Sequence, residues 1–162
     1  MLGEMGGRAS GLSRLIEERR RWREQGRRVV LANGCFDLLH RGHVALLEAA
    51  RLEGDILIVA LNSDASVGRL KGPGRPHIPQ DERAEVLLAL EPVDRVVVYD
   101  EPTPLETIRA LLPDILVKGK DWAADQVVGR EAVEAAGGRV VRVALQPGLS
   151  TSALVERIRR PW

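Results

Sequence analysis

His40 and His43 stand three residues apart, with only Arg41 and Gly42 between them. At that spacing, entering the first turn of a helix, both imidazoles lie on one side. Gly42 has no side chain to block a ligand approaching the backbone there. A helix start adds unpaired N–H groups and a partial positive charge. Two imidazoles, a glycine and a helix start suit an anion, above all a phosphate. Ser150-Thr151-Ser152, before the last amphipathic stretch, repeats that arrangement with hydroxyls. Lys71 lies in VGRLKGPGRPHIP (Val67 to Pro79), which has three glycines, three prolines and four cationic residues when His77 is protonated. This segment reads as a long loop of the kind that often forms a lid. Two helix starts and Lys71 together could hold a triphosphate.

Each of these residues also has a plainer use. His40 and His43 could join Asp37 around a metal, but no third His or Cys is near; they could equally be bonded to the turn. Cys35 could be a nucleophile, yet no oxyanion motif stands beside it, and filling the core is simpler. The Ser-Thr-Ser run could be an N-cap and nothing more. Lys71 could be plain surface, Trp122 packing, and Asp64 and Asp121 turn residues. The sequence contains no P-loop lysine motif and no Gly-x-Gly-x-x-Gly after its first strand, which argues against P-loop and dinucleotide redox enzymes.

The elements that carry these residues follow from hydrophobic period. Val29–Ala32 is a short apolar strand, Asn33-Gly34 reads as a tight turn, and a helix is expected from about Gly42. Asp55–Leu61 is apolar on both faces, as a central parallel strand should be. It delivers Asn62-Ser63-Asp64 at its C-terminal end. Further strands are expected at Val93–Tyr99, Ile115–Val117 and Arg139–Ala144. Further helices are expected at Leu12–Gln25, Gln80–Leu90, Pro104–Leu112, Val127–Ala136 and Ala153–Arg160. Alternating strands and helices imply an α/β fold: a Rossmann-like, five-stranded parallel sheet with helices on both faces. The polar clusters follow strands one, two, four and five, and so converge in one crevice at the C-terminal edge of the sheet.

The 162 residues suit a single domain over 1–162, with a mobile Gly-rich stretch at 1–10, an N-terminal helix at 11–26 and a catalytic core at 28–160. The net charge of +1 gives no field toward nucleic acid or membrane. Arg19, Arg20, Arg21, Arg23, Arg27 and Arg28 read as a solvated face, diluted by Glu17, Glu18 and Glu24. The single cysteine precludes a disulfide within the chain and fits a reducing cytoplasm. No apolar run reaches the length that spans a bilayer, and the first residues are not a secretory signal. Apolar residues on the first helix suit a homodimer.

The run Asn33-Gly34-Cys35-Phe36-Asp37-Leu38-Leu39-His40-Arg41-Gly42-His43 resembles the first motif of the cytidylyltransferase-like nucleotidyltransferases, whose core is His-x-Gly-His. Ser150-Thr151-Ser152 resembles the hydroxyl-rich motif before that family's last helix. The similarity is closest to the branch that adenylylates D-glycero-β-D-manno-heptose 1-phosphate, often fused to a sugar kinase. It is carried by Asn62-Ser63-Asp64, Arg69-Leu70-Lys71-Gly72, Arg83 in DERAEVLLALEPVD, and Leu116-Val117-Lys118-Gly119 with Asp121. These motifs run in order from about Val29 to Ile158, and the kinase half is absent from the sequence.

The resemblance implies transfer of AMP from ATP to a sugar 1-phosphate, with pyrophosphate released and Mg²⁺ carried by phosphate oxygens and water. It implies His40, His43 and Lys71 as the catalytic donors. Asn33, Gly34, Cys35, Phe36, Gly42, Lys118, Gly119, Asp121, Ser150, Thr151 and Ser152 would bind the nucleotide. Asp37, Asp64, Arg69, Arg83 and Trp122 would serve the substrate side, Arg69 on the sugar phosphate and Arg83 bracing phosphates or acidic loop residues. A separate heptose kinase would act upstream. A cytidylyltransferase for glycerol 3-phosphate and a non-catalytic nucleotide-binding module are the alternatives.

Overall fold

The structure is a computed structural model that describes residues 11–119, 126–144 and 148–160. The elements run α1 (Leu12–Glu24), β1 (Val29–Gly34), α2 (Arg41–Arg51), β2 (Ile56–Asn62), α3 (Asp64–Lys71), α4 (Gln80–Ala89), β3 (Arg95–Tyr99), α5 (Leu105–Leu111), β4 (Ile115–Gly119), α6 (Arg130–Ala135), β5 (Arg139–Val143) and α7 (Thr151–Arg159). The five strands form one sheet in the order β3-β2-β1-β4-β5. Every neighbouring pair is parallel. The expected doubly wound sheet is therefore present. Its strand order reverses between β1 and β4, the place where such sheets leave a crevice.

The central strands alternate between two cores, because successive side chains point to opposite faces. Val30, Ala32, Leu57, Val59 and Leu61 pack with Leu47 of α2 and Leu87 of α4. Val29, Leu31, Ile56, Ile58 and Ala60 pack with Leu15 and Trp22 of α1 and Ile108 and Leu111 of α5. Both faces being covered explains the unbroken apolar runs of β1 and β2.

Three expectations need correction. Asn33-Gly34 does not turn; both residues extend β1 and pair with Ala60 and Leu61 of β2. A parallel ladder continues wherever the partner strand is long enough, whatever local turn preference the dipeptide carries. Val67–Lys71 is not loop but the greater part of α3. Ser63 caps that helix by accepting from the Ser66 N–H, Asp64 opens its first turn, and Val67 is fully buried. The Gly/Pro signal takes effect only at Gly72, where φ reaches +89° and the helix stops. Arg19 is not solvated. It is buried, donates to the Leu111 and Leu112 carbonyls, and pairs with Asp114 at 3.0 Å. Burial pulls its pKa down, and Asp114 opposes that shift. Asp114 also accepts from the Val29 N–H, so this pair ties α1 and α5 to the start of β1.

Candidate active site

Between the end of β1 and the start of α2, the chain makes a turn that sequence pattern did not resolve. Phe36 and Leu38 both adopt left-handed backbone, with φ of +45° and +51°. For residues with a Cβ this costs about 1–2 kcal/mol each, so the turn must be held from outside. The Phe36 ring fits because Gly34 lacks a Cβ; one added there would lie 3.2 Å from Phe36 Cε2. Asp37, between the two strained residues, is almost fully buried. Its carboxylate accepts from the N–H groups of His77 and Ile78 and from Arg75 Nε at 2.7 Å. Burial alone would raise the Asp37 pKa; the His77 N–H, Arg75 and the Ile78 N–H outweigh it and hold the carboxyl below its ordinary value. The Asp37 carbonyl accepts from Thr151 Oγ1 at 2.7 Å. One residue thus joins the turn, the 72–79 segment and the start of α7.

His40 is the N-cap of α2. Its Nδ1 accepts from the Gly42 N–H at 3.1 Å, and His43 Nδ1 accepts from the His40 N–H at 3.3 Å. A backbone donor at each Nδ1 leaves each proton on Nε2, so both neutral rings keep an outward N–H donor. The rings stack with centroids 3.8 Å apart. Burial, then the neighbouring His40, lowers the His43 pKa to about 4; burial lowers that of His40. Gly42 opens room for His40 rather than for a ligand: a Cβ there would stand 3.0 Å from His40 Cε1 and 3.2 Å from Leu149 Cβ. The starts of α2 and α7 are therefore in contact.

Above these two helix starts lies a crevice of about 540 Å³ at the C-terminal ends of the strands. Asn33, Gly34, Cys35, Phe36 and Asp37 line its floor, and His43, Lys71, Lys118, Thr151 and Ser152 line its sides. These come from β1, α2, α3, β4 and α7. Lys118 and Gly119 end β4 rather than follow it. Cys35 sits 3.8 Å from Asn62 Oδ1, and burial pushes its thiol pKa up, which does not suit a nucleophile.

Other expected residues lie elsewhere. His40, Gly42, Gly119 and Ser150 support the crevice without lining it. Ser150 caps α7 through the Ala153 N–H. Arg69 is exposed, bonded to Asp100 and outside the crevice, so it does not fit a sugar phosphate bound there. Arg83 is buried beneath the site, not open to substrate. It donates to the carbonyls of Cys35, Asn62 and Ile78 and pairs with Asp64 at 2.7 Å. Asp64 is thereby committed to Arg83, at the start of α3. Asp121 and Trp122 lie outside the described residues.

Residues 31–157 match the family model for cytidylyltransferase-like proteins. The chain belongs to the cytidylyltransferase-like family. It is 58% identical over 157 residues to the bifunctional protein HldE of Gluconacetobacter diazotrophicus, an alignment covering 96% of this chain and 32% of that protein. It is 56% identical over 151 residues to the HldE of Mesorhizobium japonicum, covering 93% and 30%. The chain thus spans about a third of the length of these relatives. Among solved structures, the lipopolysaccharide core biosynthesis protein of Thermoplasma volcanium is 29% identical with a TM-score of 0.61, covering 75% of this chain and 98% of that one. The pantoate-beta-alanine ligase of Francisella tularensis, complexed with beta-gamma ATP and beta-alanine, has a TM-score of 0.64, covering 92% and 72%. At 16% identity it shows the fold alone.

Within this cytidylyltransferase-like chain, Arg75, Tyr99, Thr103 and Gln126 also line the crevice, and the sequence reading did not single them out. Tyr99 had an available signal, since it closes β3 at the ligand-binding edge of the sheet. Its hydroxyl accepts from Asn33 Nδ2 at 3.4 Å, and burial pushes its pKa up to about 12. Arg75 was one cation among several in the 67–79 segment. Only the fold shows which of them faces the site.

Proposed function

We propose that this chain transfers the AMP of ATP to D-glycero-β-D-manno-heptose 1-phosphate, forming ADP-heptose and pyrophosphate for a surface glycan precursor. The observation that carries the reading is the single crevice at the strand switch point, where the His43 ring at the start of α2 and Thr151 at the start of α7 line one cavity with Lys71. The identity to bifunctional HldE proteins supports the choice of acceptor.

In this reading the nucleotide lies over β1 and β4. The backbone of Cys35 and Phe36 lines it, with Lys118 at its far side. An oxygen of the sugar phosphate attacks the α-phosphorus. The new P–O bond forms as the bond to the bridging oxygen breaks, and that oxygen leaves with the electron pair on pyrophosphate. The protein's task is positioning and charge stabilisation. His43, and His40 stacked beside it just outside the crevice lining, would donate Nε2–H to the α- and β-phosphate oxygens as charge grows there. Lys71 would follow the triphosphate, and Thr151 and Ser152, with the free N–H groups of α7, would take its β- and γ-phosphates.

Among the described residues no group of three His, Cys, Asp or Glu side chains could cage a metal ion, and the Asp37 carboxylate is already filled by donors. The reading takes Mg²⁺ in with the ATP, held through phosphate oxygens and water, where the ion would neutralise the triphosphate. Among the described residues no helix is long and apolar enough to cross a membrane. We place the enzyme in the cytoplasm as a single domain with its core at 28–160, acting on the product of a sugar kinase. The homodimer expected from apolar residues of α1 loses that support, because Leu15 and Trp22 are buried in this chain's own core and Leu12 and Ile16 pack against it.

The test is a screen of sugar 1-phosphates and glycerol 3-phosphate against all four nucleoside triphosphates, detecting pyrophosphate. The expected result is release with ATP and the heptose 1-phosphate. Preference for CTP with glycerol 3-phosphate would replace the reading, and ATP binding with no turnover of any acceptor would reduce the chain to a binding module.

A further inference from the structure

Arg75 is the one arginine lining the crevice among the described residues, and its partner there is Asp37. The contact uses Nε, at 2.7 Å. Nη1 and Nη2 carry no hydrogen bond among the described residues, and the side chain is 18% exposed. A guanidinium held at Nε by a buried carboxylate cannot swing freely, and its two Nη groups form a fixed fork. That fork matches two oxygens of a phosphate. Asp37 is itself fixed by the N–H groups of His77 and Ile78, so the aligning carboxylate is as rigid as the turn it belongs to.

The side of the crevice on which Arg75 stands follows from its segment. Arg83 ties the Ile78 carbonyl to those of Asn62 and Cys35, so residues 75–78 stand over the ends of β1 and β2. On the reading above the nucleotide would lie at the reversal between β1 and β4, in the half whose wall Lys118, Gln126 and Val128 line. The half over β2 and β3 is lined by Asn62, Tyr99 and Thr103. Asn62 is buried and donates to Ser66 Oγ, so the Tyr99 and Thr103 hydroxyls are the groups there that suit a polyhydroxylated molecule.

We propose that Arg75, aligned by Asp37, grips the phosphate of the acceptor in the lobe over β2 and β3 and so presents its oxygen to the α-phosphorus. This rests on the nucleotidyl-transfer reading above and gives the acceptor its anchor. Arg75 is then a substrate-binding residue and Asp37 a positioning residue.

The experiment is calorimetric titration of D-mannose 1-phosphate into the whole chain saturated with a non-hydrolysable ATP analogue, beside the same titration for R75A, R75K and D37N. Loss of a charge-assisted fork should weaken acceptor binding by about 10-fold or more in R75A, while affinity for the ATP analogue is unchanged. R75K, which keeps charge without the fork, should recover only part of the loss. D37N, which also loosens the turn beneath the nucleotide, should raise the acceptor KM by a clearly larger factor than the ATP KM, whereas a merely structural role would raise both by the same factor. Equal acceptor binding by wild type and R75A, or no acceptor binding by the wild type, overturns the proposal. The reading on which it rests fails separately, if wild type binds the sugar phosphate yet releases no pyrophosphate with it or the heptose 1-phosphate.

Discussion

The Nδ1 of His43 accepts from the backbone N–H of His40, and the two imidazoles stack 3.8 Å apart. The pair is neutral and donates through Nε2. His43→Ala should lower kcat by about 10²-fold, the scale of one preorganised donor, as read from steady-state pyrophosphate release. Turnover at the wild-type rate would remove His43 from the mechanism.

The same pair sets a pH dependence of stability. The His43 pKa is lowered in the fold to about 4, against 6.5 for a free imidazole. Between those values the unfolded chain binds a proton that the folded chain does not. Stability should therefore be full above pH 6.5 and fall as pH drops toward 4, by up to about 3 kcal/mol from this ring. Urea unfolding of wild type and His43→Gln at several pH values checks this, the variant showing the flatter profile.

Gly42→Ala separates helix stability from site geometry. Alanine favours a helix interior by about 1 kcal/mol over glycine, so the fold should not suffer from the backbone. The new Cβ would nevertheless press on the His40 ring and on Leu149 Cβ. The expected outcome is a near-wild-type melting temperature with a clear loss of kcat.

Lys71 ends α3 with its side chain exposed at the crevice. Lys71→Ala should depress kcat more than it weakens ground-state ATP binding, because the growing charge is what the ammonium meets. A raised KM with kcat intact would make Lys71 a binding residue alone.

Arg83 is 3% exposed and supplies donors to three carbonyls as well as Asp64. Arg83→Met leaves buried carbonyls of Cys35 and Asn62 without that donor. The cost should be about 2–4 kcal/mol in urea unfolding, with activity per folded molecule reduced because the 72–79 segment loses its tie.

The alternation of apolar runs with amphipathic stretches determined the parallel sheet, since strand and helix periods are written in the chain itself. The spacing of His40 and His43, and the hydroxyls before α7, were equally legible, because helix starts are local features. Tertiary structure alone decided which charges serve the site. Arg69 and Arg75 are alike in composition and neighbourhood, yet one pairs with Asp100 outside the crevice and the other with Asp37 within it. Asp37 and Arg83 looked like substrate ligands and are instead consumed by backbone groups far away in sequence. A long charged side chain reaches several partners at similar cost, so its partner is settled by which distant strands the sheet brings together, and no short stretch of sequence encodes that.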